Sequence, residues 1–164
     1  IQILLLNLLS DFPMLAIATD TVDKAELHNP HSYQVRDMIK LATLLGVVST
    51  LFDFMFFGLF FRNDPAILQT NWFMGSVLTE LVFLYSVRTK LPCWLARRPS
   101  TWLTGLTITT AIITLVLPYT CFGRNVFHFH SPSSLHLAMI FSLVAIYFVT
   151  TEIVKLGYER TRAR

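Results

Sequence analysis

The longest apolar run in the chain is "MIKLATLLGVVSTLFDFMFFGLFF", residues 38–61. A helix needs about 20 mostly apolar residues to cross the hydrocarbon core of a bilayer, and this run is long enough. Its polar and apolar positions do not alternate, whereas the strands of a membrane β-barrel alternate with a period of two. Lipid offers no partner to backbone N–H and C=O groups, so a segment of this kind must satisfy them internally. The run therefore predicts a transmembrane α-helix.

The composition of the whole chain agrees with this prediction. Of the 164 residues, 54% are hydrophobic and only 14% are charged, and the mean hydropathy is +0.56. Soluble domains carry about 25% charged residues, so the composition indicates a membrane protein. The net charge of +3 would also suit a nucleic-acid-binding protein. The basic residues are instead sorted by loop, and we expect no nucleic-acid partner.

Four further segments have the length and apolarity of membrane spans, at about 1–18, 71–87, 102–118 and 135–154. With 38–61 they predict an all-α membrane protein, a single domain over 1–164 built as a bundle of five transmembrane helices. The chain opens on Ile1, inside an apolar run and without the basic leader of a signal peptide. We interpret it as part of a longer polypeptide.

The basic residues predict the orientation of the bundle. Two of the 13 Lys and Arg residues, Arg62 and Arg124, lie in the loops of one side. The other eleven belong to the opposite side: Lys24, Arg36, Lys40, Arg88, Lys90, Arg97, Arg98, Lys155, Arg160, Arg162 and Arg164. Because Lys and Arg accumulate on the cytoplasmic side, we expect a multi-pass protein of the plasma membrane with a cytoplasmic C-terminus and residue 1 outside.

The first segment carries polar residues that are unusual in lipid. Asn7, Ser10 and Asp11 stand at i, i+3 and i+4 and therefore share one helical face. Pro13 has no N–H, so the carbonyl of Leu9 loses its helical partner. A carboxylate at the bilayer centre costs about 2.5–3.5 kcal/mol on insertion scales, and such residues are usually functional. Because Mg²⁺ and Ca²⁺ take oxygen ligands, these four oxygens predict a cation site; the alternative is polar packing between helices.

Other acidic residues allow several interpretations. Glu80 lies near the middle of the third segment. It could be a second cation ligand, a proton carrier or a buried acid paired with a neighbouring helix. For Asp53 we predict an interhelical hydrogen bond. Asp20 and Asp23 follow the first segment, and we interpret them as solvated loop residues.

Several threonines of the fourth segment do not share one helical face. We expect them to hydrogen-bond to their own helix or to neighbouring helices. They are Thr104, Thr107, Thr109, Thr110 and Thr114.

The stretch "IQILLLNLLSDFPMLAIATDTVD", residues 1–23, resembles the sixth transmembrane helix of P-type cation-transporting ATPases, with its Asn-x-x-Ser/Thr-Asp ion-site motif. The stretch "NWFMGSVLTELVFLYSVRTKLP", residues 71–92, is similar to the eighth helix of the magnesium-transporting branch. The resemblance implies that the chain comprises helices six to ten, with Asn7, Ser10 and Asp11 at ion-site positions. It leaves the cation open, because Ser10 and Glu80 stand where magnesium-branch members often carry an aromatic residue and Gln.

The resemblance implies the membrane part of an ATP-driven pump for Mg²⁺ or another hard cation. Its ATP, the accompanying Mg²⁺ and the phosphorylated aspartate would belong to domains outside this chain, which lacks the Asp-Lys-Thr-Gly-Thr motif. The expected partners are the cation, membrane lipid and the N-terminal part of the same polypeptide. We expect no catalytic residue here, and a metal site of Asn7, Ser10, Asp11, the Leu9 carbonyl and Glu80. The alternatives are a free-standing five-helix channel or secondary carrier, and a non-catalytic membrane scaffold.

Overall fold

The computed structural model describes residues 1–20, 35–62, 64–89 and 91–162. All regular structure in these ranges is helical, and short 3₁₀ turns extend the first and fourth helices. The helices are α1 (Gln2–Ala16), α2 (Val35–Phe60), α3 (Pro65–Val87), α4 (Thr101–Val116), α5 (Cys121–Phe127) and α6 (Ser134–Arg162). Five of these helices, all except α5, are long and apolar enough to cross a membrane, when the 3₁₀ turns that follow α1 and α4 are counted with them. The predicted all-α bundle of five spans is confirmed.

Several predicted boundaries were wrong. Helix α3 begins at Pro65 rather than at 71, because proline fits the first turn of a helix, where its missing N–H has no partner to lose. Trp72 therefore lies two turns inside α3, where its ring stacks on Phe57. Helix α6 continues to Arg162 instead of stopping near 154. The short helix α5 was not predicted; it ends at Phe127, and the next residue, His128, caps it in a left-handed conformation.

Helix α3 is the centre of the bundle. It contacts α1, α2, α4 and α6, and its middle, from Phe73 to Thr79, is buried without interruption. Gly75 allows α2 to approach α3 closely, because a Cβ at this position would overlap the ring of Phe56 on α2. The core residues around α3 are Leu6, Leu9, Phe56, Phe60, Phe73, Met74, Val77, Leu78, Leu81, Phe129, Ile140, Leu143 and Val144.

Consecutive spans run in opposite directions, so the loops gather at two ends of the bundle. At the α5 end, Gln2 Nε2 donates to the carbonyl of Phe127 at 2.7 Å. At the other end, which we call the basic end, Arg88 contacts Asp20 just beyond α1, and Leu91 and Cys93 contact Lys155 and Glu152 in the C-terminal half of α6. Asn7, Ser10 and Asp11 lie on α1 between these two ends.

Candidate cation site

A cleft of about 790 Å³ runs from the middle of the bundle to the basic end. One wall is α1 and the other is α2, while α3 and α6 form its floor. Three of the predicted ligands line it from α1, namely Asn7, Ser10 and Asp11, and Glu80 lines it from α3. The structure thus brings together four of the five predicted site residues.

The side chain of Ser10 connects the two helices at this point. Its hydroxyl lies within hydrogen-bonding distance of two carbonyls of its own helix, those of Leu6 at 3.1 Å and Asn7 at 3.2 Å. It also lies beside the carboxylate of Glu80 on α3. Glu80 Oε2 is buried and has no hydrogen-bond partner among the residues that the structure describes. A buried carboxylate oxygen without a donor is suited to receive a proton or a cation.

The fifth predicted ligand, the Leu9 carbonyl, does not line the cleft. Leu9 is buried in the core, and its carbonyl accepts a hydrogen bond from Thr110 Oγ1 on α4 at 3.4 Å. Pro13 does remove the helical donor to this oxygen, but α4 supplies another donor on the side away from the cleft. The ligand prediction considered α1 alone and did not connect the Leu9 carbonyl with the threonines of α4.

The donor atoms of the cleft suit a hard cation but do not enclose one. Asp11 and Glu80 contribute carboxylates, Asn7 an amide oxygen and Ser10 a hydroxyl, all ligand types that Mg²⁺ and Ca²⁺ accept. Within the described ranges, no three His, Cys, Asp or Glu side chains stand close enough together to hold a metal ion. The cleft therefore presents part of an oxygen cage.

Three of the five threonines of α4 form the expected hydrogen bonds. Thr107 donates to the carbonyl of Leu103 and Thr114 to that of Thr110, both at 2.8 Å within the helix. Thr110 itself bonds to α1, as described above.

The matching family model is described as "Cation transporting ATPase, C-terminus", and it covers residues 1–157. The chain belongs to this family. Over 167 aligned residues it is 26% identical to "Magnesium-transporting ATPase, P-type 1" of Salmonella typhimurium (strain 14028s / SGSC 2262), covering 98% of this chain and 18% of that protein. The protein of the same name from Escherichia coli (strain K12) is 25% identical with the same coverage. The chain thus spans 18% of the length of these relatives.

Membership of the cation-transporting ATPase family confirms the resemblance read from residues 1–23 and 71–92. It favours the C-terminal membrane domain of a P-type ATPase over a free-standing channel or carrier and over a scaffold. With its five apolar helices, the chain is a multi-pass membrane protein.

Two predictions about aspartates have different outcomes in this ATPase domain. The interhelical hydrogen bond of Asp53 is confirmed, since Ser76 Oγ on α3 donates to Asp53 Oδ1 at 3.5 Å. The prediction that Asp20 is solvated was wrong. Its side chain is buried against Arg88, with 2.6 Å between Oδ2 and Nη1, because the loop after α3 folds over the end of α1. Asp23 lies outside the described residues.

Sequence reasoning missed a second buried ion pair, at the basic end. Lys155 Nζ lies 2.7 Å from Glu152 Oε1 and donates to the carbonyls of Ser86 at 2.8 Å and Leu91 at 3.1 Å. From the sequence, Lys155 counts only as one of the basic residues of the cytoplasmic side. The signal that reveals it is the spacing of Tyr147, Thr151 and Lys155 at i, i+4 and i+8, since all three are buried on one face of α6.

Proposed function

We propose that this chain supplies one wall of the intramembrane cation site of an ATP-driven pump for Mg²⁺ or another hard cation. The main support is that Asp11 on α1 and Glu80 on α3 line the same cleft of a membrane-spanning bundle. The names of the magnesium-transporting relatives support Mg²⁺ as the cargo. In the pump, ATP and its Mg²⁺ bind to domains outside this chain, where an aspartate is phosphorylated.

Each residue of the wall has a distinct role in this proposal. Asp11 offers a full negative charge, which offsets the loss of the cation's hydration shell. Glu80 offers a second carboxylate, with one oxygen still without a donor among the described residues. Asn7 and Ser10 are neutral ligands that complete the oxygen set on α1. The carbonyl of Leu9 is left out of the set, because Leu9 does not line the cleft and its oxygen accepts a hydrogen bond from Thr110 on α4.

The remaining ligands come from helices of the same polypeptide outside this chain. The opposite wall of the cleft is suited to receive such a helix, because Ala42, Gly46 and Ser49 present small side chains there. A Cβ built on Gly46 meets no atom within 4 Å, and small residues let transmembrane helices approach closely. The cation would then be held between this helix and α1.

The decisive experiment compares variants of the full-length pump at matched membrane expression. Asp11→Asn keeps the size of the side chain but removes its charge. Interactions with charged groups contribute about 1.5–3 kcal/mol, so the cation concentration for half-maximal ATPase activity should rise about 10- to 100-fold. Asn7→Ala should raise this cation concentration less than Asp11→Asn does, because it removes a neutral ligand and not a charged one.

Asp53→Asn is the matched control, because it removes a membrane carboxylate that does not line the cleft. It should leave the half-maximal cation concentration unchanged. If Asp11→Asn pumps with wild-type affinity, the cation site lies elsewhere.

A second test concerns the class of metal. The wall has only oxygen donors, apart from the thioether of Met14 at its edge, whereas sites for soft metals use thiolates. We expect ATPase activity to respond to Mg²⁺ or Ca²⁺ and not to Cu⁺. Specific stimulation by Cu⁺ without a response to hard cations would refute the proposed ligand set.

A further inference from the structure

The cytoplasm-proximal end of α1, by the predicted orientation, is held by a buried set of contacts around Asp20. Asp20 follows the 3₁₀ turn that ends α1, and only 9% of its side chain is exposed. Its Oδ2 accepts from Arg88 Nη1 at 2.6 Å, and its Oδ1 accepts from the backbone N–H of Ser100 at 2.8 Å. We call these three residues the Asp20 clamp.

The clamp joins three helices. Arg88 follows α3 directly, and its second Nη donates to the carbonyl of Arg97 in the next loop. Ser100 is the N-cap of α4, where its hydroxyl accepts from the N–H of Leu103 at 3.1 Å. Since both oxygens of Asp20 are used and the Arg88 guanidinium has two acceptors, the buried charges are well satisfied. Such an arrangement allows little freedom to the end of α1 relative to α3 and α4.

The clamp is in register with the carboxylates of the cleft. Asp11 precedes Asp20 by nine residues on α1, and Glu80 precedes Arg88 by eight on α3. At about 1.5 Å per residue in an α-helix and about 2.0 Å in a 3₁₀ turn, both carboxylates lie about 12–15 Å along their helices from the clamp. The pairing of Asp20 with Arg88 therefore sets Asp11 and Glu80 at the same level of the bundle.

Helix α1 needs such support because it is interrupted at Pro13. A proline inside a helix removes one backbone hydrogen bond and weakens the segment around it. On the other side of the interruption, Thr110 of α4 holds the carbonyl of Leu9. The segment that carries Asp11 is thus fixed by α4 before Pro13 and by the clamp after it.

We propose that Asp20 and Arg88 are positioning residues for the cation site: their ion pair fixes the height of α1 against α3 and so the spacing of the Asp11 and Glu80 carboxylates. This inference rests on the proposed function of those carboxylates. Neither Asp20 nor Arg88 touches the cation itself.

The test uses the full-length pump in detergent and measures two quantities. One is the Mg²⁺ concentration that gives half of the maximal ATPase activity, with the ATP KM determined alongside. The other is the Mg²⁺ concentration that gives half of the thermal stabilisation, which does not depend on turnover. For Asp20→Asn, both Mg²⁺ concentrations should rise about tenfold, while the ATP KM stays at its wild-type value. Arg88→Lys keeps the charge but loses the planar two-nitrogen geometry of the guanidinium. Both Mg²⁺ concentrations should therefore rise less in Arg88→Lys than in Asp20→Asn.

Glu152→Gln is the matched control, since it disrupts the other buried ion pair of the basic end, in which Glu152 bonds to Lys155 and to the backbone N–H of Cys93 and not to a residue of the Asp20 clamp. It should lower the yield of folded protein and leave both Mg²⁺ concentrations unchanged.

The outcomes separate the two proposals. If neither Mg²⁺ nor Ca²⁺ stabilises or activates the wild-type pump, the proposed function fails. If the wild type responds but Asp20→Asn and Arg88→Lys show wild-type half-saturation, the positioning role is refuted and the clamp is purely structural. If Asp20→Asn does not fold, Arg88→Lys is the deciding variant. Wild-type Mg²⁺ concentrations for half-saturation in Arg88→Lys then refute the positioning role.

Discussion

Three aspartates on the first two helical segments illustrate how the surroundings decide what a carboxylate does. Asp11 lines an open cleft, where its charge is available to a ligand. Asp20 is neutralised by Arg88 and by a backbone N–H. Asp53 accepts a hydrogen bond from Ser76 between two helices. Of these three environments, only the first suits the cation-binding role that we propose for Asp11.

The contact between Gly75 and Phe56 allows a stability prediction at the scale of one atom. Gly75→Ala places a methyl group against the buried ring of Phe56, and overpacking of this kind costs about 1–3 kcal/mol. We expect a lower midpoint of thermal unfolding in detergent. Gly58→Ala, on α2 with no atom within 4 Å of the new Cβ, should have little effect. Adding Phe56→Leu to Gly75→Ala should restore part of the loss; an unchanged midpoint in Gly75→Ala would contradict this packing.

Cys93 allows a prediction about pH. Burial raises the pKa of the Cys93 thiol, and the neighbouring Glu152 carboxylate raises it further. Because the thiolate is the reactive form, modification of Cys93 by a maleimide should accelerate only at a higher pH than for an ordinary thiol. Glu152→Gln removes one cause of the raised pKa and should move the rate profile to lower pH. A profile that does not move in Glu152→Gln would show that burial alone controls the thiol.

At the scale of the helix, the sequence predicted what depends on local spacing and missed what depends on distant partners. The face of Asn7, Ser10 and Asp11 followed from helical periodicity, and the cleft contains all three. The donor to the Leu9 carbonyl is Thr110, 101 residues away. No property of α1 alone contains that information.

Helix boundaries show the same division. Five spans were evident from apolar length alone, since lipid requires about 20 such residues. The extension of α6 beyond 154 depends on Glu152 and Lys155, whose charges are satisfied inside the bundle rather than by water. A hydropathy pattern treats such charges as the end of a span, because it cannot detect their partners.

The buried pair on α6 yields a prediction for this helix. Lys155→Met leaves the Glu152 carboxylate buried without its cation, and removing one partner of a buried pair costs about 3–5 kcal/mol. Replacing both residues, as Lys155→Met with Glu152→Gln, should cost less than the sum of the single changes. Thermal unfolding of the single and double variants in detergent measures this coupling. Lys40→Met, an exposed cation on α2, is the control and should be nearly neutral. Additive effects of the two α6 changes would contradict the pair.

At the scale of the whole molecule, the two ends of the bundle differ in charge in a way that predicts orientation. The basic end gathers the loop 88–100 and the end of α6, whereas the α5 end carries Arg62 and Arg124. Some basic-end charges are internally paired, as Arg88 and Lys155 are. The exposed Arg97 and Arg160 still distinguish the two ends. By the positive-inside rule, we propose that the basic end and the C-terminus face the cytoplasm.

This orientation is testable with single cysteines in a full-length background without native cysteines. Leu95 and Arg160 are exposed at the basic end, and Asn125 is exposed on α5. In intact cells, a membrane-impermeant maleimide should modify Asn125→Cys and leave Leu95→Cys and Arg160→Cys unmodified until the membrane is opened. Between residues 95 and 125 the chain crosses the membrane once, through α4. The two residues must therefore lie on opposite sides of the membrane. Modification of both from outside would refute the five-span bundle, whereas exchange of the two patterns would keep the bundle and reverse its orientation. In that case the cleft, which opens toward the basic end, would open to the outside.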